Sequence, residues 1–358
     1  MNDKIRELLI NIEVCRCNEQ YEKGSEILRT SIKKYPNNSE LLDAYSRFFK
    51  NEQVIKVPTR GGSDIAIKNL HVNVDAASNN RLNIILNNLD KRLIKENKIN
   101  ILWNQHSYDQ PGIQSISKKG IIKDLDKIVF VSSWQYDRFR LIHKIPEEKS
   151  IVIKNAISDI DLIEKAKKIK IIYVSTPWRG LDILLDSFEL LKRDDVELDI
   201  YSSTIIYGSD FYDQNEKMFK PIFIKAKNMK NVNYKGYASN QSIRKAIQNS
   251  HIFAYPCIWE ETSCISAIEA AMAGCNLVTT NLGALPETLA EWPIYVNYDS
   301  NKANLIAKFS EALEFSIDNY WESSNQIKLL DQHNYFKRFW TWKTRKNDWT
   351  KLFSELGL

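Results

Sequence analysis

Residues 1–50 place apolar side chains at helical spacing. Ile5, Leu8, Leu9 and Ile12 share one side of a first helix, and Ile27, Leu28 and Ile32 one side of a second. From Val54 the rhythm changes to short apolar runs separated by amphipathic stretches. Val54–Val57, Leu82–Leu86, Ile99–Trp103, Lys127–Val131 and Ile151–Ile153 predict strands, with helices near Asp64–Asn73, Asp90–Asn97 and Trp134–Ile142. A second series predicts strands at Ile169–Ser175, Glu197–Tyr201, Val232–Lys235, Ile252–Tyr255, Leu277–Thr280 and Ile294–Val296. Its helices are expected at Leu181–Leu191, Phe211–Lys227, Ser242–Asn249, Ser263–Ala273 and Asn301–Phe315. Strands alternating with helices imply right-handed βαβ units and parallel sheets. Two such series predict an α/β protein of two Rossmann-like domains facing a cleft, with an N-terminal helical extension. Ligands of open α/β sheets lie beyond the carboxyl ends of the strands, so the loops that follow them are where chemistry is expected.

The length of 358 residues accommodates this plan, and 43% apolar and 27% charged residues with 11 Gly and 9 Pro describe a folded globular chain. The apolar runs are far shorter than the ~18–20 residues of a membrane span. The N-terminus is charged from its third residue and has no apolar segment before a small-residue cleavage site, which predicts a cytoplasmic protein. The five cysteines are odd in number and lack CxxC or Cys/His spacing, so reduced thiols are expected rather than disulfides or a metal site. Charge is uneven: residues 1–155 hold 26 Lys and Arg against 19 Asp and Glu, the remainder 24 against 26. A basic half suits an anionic acceptor, an acidic membrane surface or nucleic acid, or is a solvated face.

The densest chemistry lies in WEETSCISAIEAAMAGC, residues 259–275. It follows the apolar run His251–Tyr255 and enters a helix that Thr262 or Ser263 can cap, whose free N–H groups suit a phosphate. Glu261 precedes this helix and Glu269 lies within it, eight residues later. A carboxylate accepts hydrogen bonds from vicinal sugar hydroxyls, so two of them beside a phosphate-binding helix end could hold a nucleotide sugar at both ends.

This segment resembles the E-x7-E motif of retaining GT-B glycosyltransferases of the family 4 type (glycosyl transferases group 1). IIYVSTPWRGLDILLDSF (171–188) is similar to that family's strand, basic phosphate loop and helix. NVNYKGYASNQSIRKAIQNSHIFAYPC (231–257) is similar to its nucleotide-base region, and TTNLGALPETLAE (279–291) to its glycine loop with Pro–Glu. The resemblance implies that Glu269 binds the donor ribose, Glu261 the transferred sugar, and Arg179 the diphosphate. Ser175 and Thr176 stand where the family has a second basic residue, and Thr262, Ser263 and Cys264 replace its usual glycines. TRGGSDIAIKNL (59–70) resembles the family's first glycine loop, with Gly61 and Gly62 near the donor phosphates. INILWNQHSYDQPG (99–112) resembles the strand ending in a cleft histidine, His106, with Asp109 as a weaker neighbour. SIVIKNAI (150–157) resembles the domain-joining strand, where Lys154 and Asn155 are candidate structural residues and Ala156 replaces a glycine.

YEKGSEILRTSIKKYPNNSELLDAYSRFF, from Tyr21, resembles a single tetratricopeptide unit with small residues Gly24 and Ser31 where helices approach. One copy cannot bury a continuous face, so it is expected to pack on the body of the protein or on a partner. The whole divides into residues 1–50 as helical extension, 51–155 as acceptor-side domain, 156–325 as nucleotide-sugar domain, and 326–358 as a helical tail. The tail carries Trp340, Trp342 and Trp349 among basic residues. The resemblance implies that it packs across both domains; base stacking or membrane anchoring is the alternative. The resulting expectation is a retaining, metal-independent hexosyltransferase with no cofactor, a UDP- or GDP-sugar donor, and a glycan, lipid or protein-linked hydroxyl acceptor. No nucleic acid is expected as partner, while peripheral membrane contact and a protein partner at residues 1–50 stay open. The alternative is a catalytically degenerate binding module that docks through its helical N-terminus.

Overall fold

The computed structural model describes residues 3–52, 54, 61–118 and 120–358. Helices α1 (Asp3–Cys17), α2 (Tyr21–Lys34) and α3 (Ser39–Phe49) pack together around Ile5, Leu9, Ile12, Leu28, Leu41 and Phe48. Gly24 is needed there, because a Cβ would run into the Phe48 ring.

The first sheet orders β1 (Leu82–Leu86), β2 (Ile99–Asn104), β3 (Lys127–Phe130) and β4 (Ser150–Val152) side by side and parallel, with Leu82 beside Ile99 and Ile101 beside Lys127. Alternation along the strands buries both faces. Ile101, Trp103 and Val129 meet Ala66 and Leu70 of α4 (Gly62–Asn73), while Leu102, Ile128 and Phe130 meet Phe139 of α5 (Ser133–His143). Of the expected strand at Val54–Val57, Val54 is not in a strand and the rest lies outside the described residues. The expected helix at Asp90–Asn97 is instead a short 3-10 turn, Lys91–Leu93. Asp90 accepts the Arg92 amide at 2.9 Å, and Asn100 accepts the Lys95 amide at 2.9 Å while donating to the Lys95 and Lys98 carbonyls. Side chains thus supply the partners a helix would have supplied.

The second sheet contains β5 (Lys170–Val174), β6 (Glu197–Tyr201), β7 (Val232–Tyr234), β8 (Ile252–Tyr255), β9 (Asn276–Thr280) and β10 (Ile294–Val296). Its helices are α6 (Leu181–Leu191), α7 (Ser209–Asn228), α8 (Asn240–Gln248), α9 (Ile265–Met272) and α10 (Leu285–Leu289). All pairings are parallel and the order is β10-β9-β8-β5-β6-β7. The chain runs outward from β5 through β7, then returns to the other flank of β5 with β8. That reversal is a topological switch point, the place where open α/β sheets bind ligands beyond the carboxyl ends of their strands.

Three more helices, α11 (Lys302–Asp318), α12 (Ser323–Phe339) and α13 (Trp342–Glu355), finish the chain. Gln332 of α12 donates to the Ala271 and Cys275 carbonyls behind α9, both at 2.9 Å. The backbone then bridges Thr341 to Ile157, and α13 joins the first domain, with Trp349 against Trp103 at 4.8 Å between ring centroids. Trp340, Trp342 and Trp349 are buried, so packing accounts for the tail's aromatic residues.

The N-terminal helices dock on the second domain. Arg16 pairs with Asp213 of α7 at 3.1 Å, and Tyr212 donates to the Cys17 carbonyl at 2.5 Å. The Asn18 carboxamide donates to the Tyr237 carbonyl at 2.8 Å and accepts its N–H at 3.1 Å.

Candidate active site

The loop after β5 carries Ser175, Thr176 and Arg179 and ends at Gly180, whose φ of +94° opens α6. No other residue fits, since a Cβ would strike the Pro256 carbonyl of the loop after β8. This close approach presses the two switch-point loops together. Arg179 consequently reaches Glu261 and forms an ion pair with it, and Tyr255, the last residue of β8, donates to the same carboxylate oxygen at 2.5 Å. The Glu261 side chain is 5% exposed and that of Arg179 20%. Burial alone would pull the guanidinium toward neutrality, but Glu261 together with the neighbouring Tyr255, Tyr207 and Cys257 outweighs it and holds Arg179 firmly protonated. Gly283, with φ of +64°, lies against the Glu260–Glu261 backbone, and Ala284 donates to the Glu261 carbonyl at 2.7 Å. Ser175 Oγ stands 3.4 Å from the Tyr255 hydroxyl.

The start of α9 corrects the expected cap. Its N-cap is Cys264, with no side-chain bond to the helix amides. Thr262 instead donates across the cleft to the Gln105 carbonyl at 2.9 Å, and the buried Ser263 Oγ has no partner. With neither hydroxyl on them, the first-turn amides of α9 stay available to an anion. Gly62, in the first turn of α4, faces this helix: a Cβ on it would lie 3.2 Å from Ile265 Cδ1. Gly61 is the N-cap of α4, and its N–H is bound by Asp64 at 3.1 Å.

His106 follows β2 on the opposite wall. Gln135 and Asn104 bind its carbonyl at 2.8 and 3.1 Å, its Nδ1 is buried without a partner, and burial lowers its pKa, so the ring stays neutral. Asn155 donates to the Gln105 side chain at 3.3 Å, and Asp109 is exposed. Seven buried polar atoms without a partner among the described residues fall on these loops: Gln105 Nε2, His106 Nδ1, Ser107 Oγ, Asn155 Oδ1, Thr176 Oγ1, Arg179 Nε and Ser263 Oγ. Buried polar atoms are rarely left unpaired, so this concentration marks a surface built for a polar ligand.

Glu269 projects from α9, 13% exposed, and burial pushes its carboxyl up to about 7. Arg244 of α8 donates to it at 2.9 Å and opposes that rise. The two domains also meet through Glu287 of α10, which accepts the Ser133 and Trp134 amides at the start of α5, both at 2.9 Å. Burial alone would raise this carboxyl, but those amides and Lys154, 3.4 Å away, hold it below its ordinary value. Tyr108 adds a bond to Glu260 at 2.9 Å.

Tyr255, Gln105, Glu260 and Arg244 have no local sequence signal, while Glu287 is the acid of the Pro–Glu pair in residues 279–291. Their partners stand on other elements, and only the strand order brings them together. Among the described residues, no cluster of three or more His, Cys, Asp or Glu is placed to hold a metal, and no helix is long and apolar enough to cross a membrane.

Two parallel-sheet domains, a tail crossing between them and a polar cleft at the switch point define a GT-B fold, which the solved neighbours share. A glycosyltransferase from Rickettsia africae aligns over 89% of this chain and 88% of its own, with a TM-score of 0.60 and 14% identity. The Anabaena protein HepE, solved with UDP, aligns over 82% of each chain, with a TM-score of 0.56 and 13% identity. The pneumococcal O-GlcNAc transferase GtfA, solved with UDP and GlcNAc, aligns over 81% of this chain and 58% of its own, with a TM-score of 0.57 and 11% identity. Residues 154–327, the domain that carries Arg179, Glu261 and Glu269, match the family model described as Glycosyl transferases group 1. No curated protein matches the chain.

Proposed function

We propose that the protein is a retaining glycosyltransferase that moves a sugar from a nucleoside diphosphate, UDP or GDP, to a hydroxyl acceptor without a metal ion. The observation that carries this reading is the convergence of Arg179, Glu261 and the unblocked α9 N-terminus at the switch point. The group 1 match over the same residues and the UDP-bound neighbours support it.

In this reading Arg179 and the α9 amides take the diphosphate and stabilise its charge as the glycosidic bond breaks. The Arg179–Glu261 pair opens when donor enters: the guanidinium turns to phosphate, and Glu261 is released to the hydroxyls of the transferred sugar. Gly61 and Gly62 line the phosphates from the opposite wall, with Ser175, Thr176, Thr262, Ser263 and Cys264 adding polar contacts. Glu269 takes the ribose diol. His106, neutral by burial, orients the sugar for attack from the face the diphosphate leaves, and a donor phosphate oxygen accepts the acceptor's proton. The acceptor, a glycan, lipid or protein-linked hydroxyl, enters from the first, basic domain. The protein is expected in the cytoplasm, where peripheral membrane contact would bring a lipid acceptor to the cleft.

The test is release of UDP or GDP from a panel of nucleotide sugars, with NMR of the anomeric proton in the product. A retained anomer, with turnover lost in Glu261→Ala and Arg179→Ala, is expected. Turnover unchanged in those variants would overturn the assignment. Nucleotide binding with no turnover of any donor would leave a binding module.

A further inference from the structure

Arg244 joins three parts of the molecule through one planar group. One nitrogen donates to Glu269 at 2.9 Å, and the other donates to the Ser158 and Asp159 carbonyls at 3.0 and 2.9 Å. Those carbonyls follow Ile157, where the chain bridges to Thr341 at the crossing between the domains. Arg244 therefore ties a carboxylate on α9 to the segment that links the two domains.

The charge environment makes this tie consequential. Of the charged side chains on elements packed around α9, Glu261 pairs with Arg179, Glu287 with the α5 amides, Lys165 with the Gly274 carbonyl, and Lys337 of α12 with Asp161. His333 of α12 sits on the Met272 carbonyl, and β8 and β9 carry no charged residue. Asp159 contributes its carbonyl, and Arg244 is the cation that faces Glu269. Without it, a carboxyl already near 7 would be protonated at neutral pH. A vicinal diol presents two hydroxyl donors, which an ionised carboxylate can accept together; a protonated acid spends one oxygen as a donor.

We propose that Arg244 is a positioning residue of the donor site: it keeps Glu269 in the acceptor-only form that a ribose diol requires and fixes it to the interdomain crossing. The inference rests on the reading that Glu269 binds the ribose. Lysine in this place restores the charge but lacks the fork that spans Glu269 and the two carbonyls.

The experiment is calorimetric titration of the full-length protein with UDP and GDP between pH 6 and pH 9, with the 2′,3′-dideoxy nucleotides as controls. In the wild type, affinity rises with pH through about 7 as Glu269 ionises. Arg244→Met is expected to bind about fivefold more weakly at pH 7, because a one-unit rise from about 7 cuts the ionised fraction from about half to about a tenth, with the deficit narrowing toward pH 9. Arg244→Lys is expected to keep the wild-type pH profile at reduced affinity. Wild-type affinity and pH profile in Arg244→Met, alongside weakened binding in Glu269→Gln, would overturn the role of Arg244 alone. Dideoxy nucleotides binding the wild type as well as their parents would overturn the ribose reading, and this inference with it.

Discussion

Replacing Glu269 with glutamine separates the cost of a buried carboxylate from its use. The side chain is 13% exposed, and burial moves its carboxyl from an ordinary 4.5 to about 7 even with Arg244 at 2.9 Å. An acid whose folded-state pKa is raised weakens the fold as pH climbs. Between about 4.5 and about 7 the folded chain holds a proton that the unfolded chain has released, and the penalty grows across that window. At ~1.4 kcal/mol per unit it amounts to about 3 kcal/mol above pH 7 and vanishes below pH 4.5. Glutamine keeps the shape and carries no charge. Glu269→Gln should therefore match the wild type near pH 4.5 and exceed it by about 3 kcal/mol at pH 8, as measured by urea unfolding followed by tryptophan fluorescence. The same variant should bind nucleoside diphosphate about tenfold more weakly, because a carboxamide offers the diol one acceptor oxygen instead of two. Stability gained while affinity is lost is the signature of a strained group kept for function. A difference from wild type that stays the same at pH 4.5 and pH 8 would refute the reasoning.

Gly180→Ala places a methyl group against the Pro256 carbonyl at a φ of +94°, and a loss of ~2–4 kcal/mol in unfolding free energy is expected; less than ~1 kcal/mol would show that the loops can separate freely. Arg179→Ala strands Glu261, 5% exposed, with Tyr255 as its remaining partner, and should cost ~3–5 kcal/mol. Adding Glu261→Ala should recover at least ~1 kcal/mol of that loss in a double-mutant cycle, and strict additivity would contradict a coupled pair. Glu287 is held below its ordinary value, so its grip on α5 is present above about 4.5 and is lost as pH falls through its lower folded-state pKa. Glu287→Gln should accelerate hydrogen exchange at the Ser133 and Trp134 amides at pH 7; unchanged protection would remove Glu287 from the interdomain contact.

The second domain was the more legible half of the sequence. Its strands are near-continuous apolar runs buried on both faces, such as Ile171–Tyr173 and Ile252–Tyr255, and Gly180 and Gly283 punctuate the loops that bear the motifs. Where polar side chains compete with the backbone, pattern misleads: Asp90 and Asn100 replaced the expected helix at 90–97 with a short turn. The α9 cap moved to Cys264, and Thr262, two residues ahead of it, is held across the cleft by its bond to the Gln105 carbonyl. Glu261 and Glu269 were legible as candidates through the resemblance of their segment, but the partners they have in the structure were not. Arg179 lies 82 residues from Glu261, and Arg244 lies on another helix, 25 residues before Glu269. No periodicity reports such pairings, since they depend on β8 returning beside β5. The docking of Asn18 on the Tyr237 backbone is equally silent in sequence, being a contact across 219 residues.

Titration of UDP and GDP into the wild type and Arg179→Ala tests the central claim most directly, because that claim is a diphosphate site where the β5 and β8 loops meet. One of the two nucleotides should bind the wild type, with affinity reduced about tenfold or more when the guanidinium is removed. Failure of both to bind, or equal affinity in the two proteins, would contradict the account.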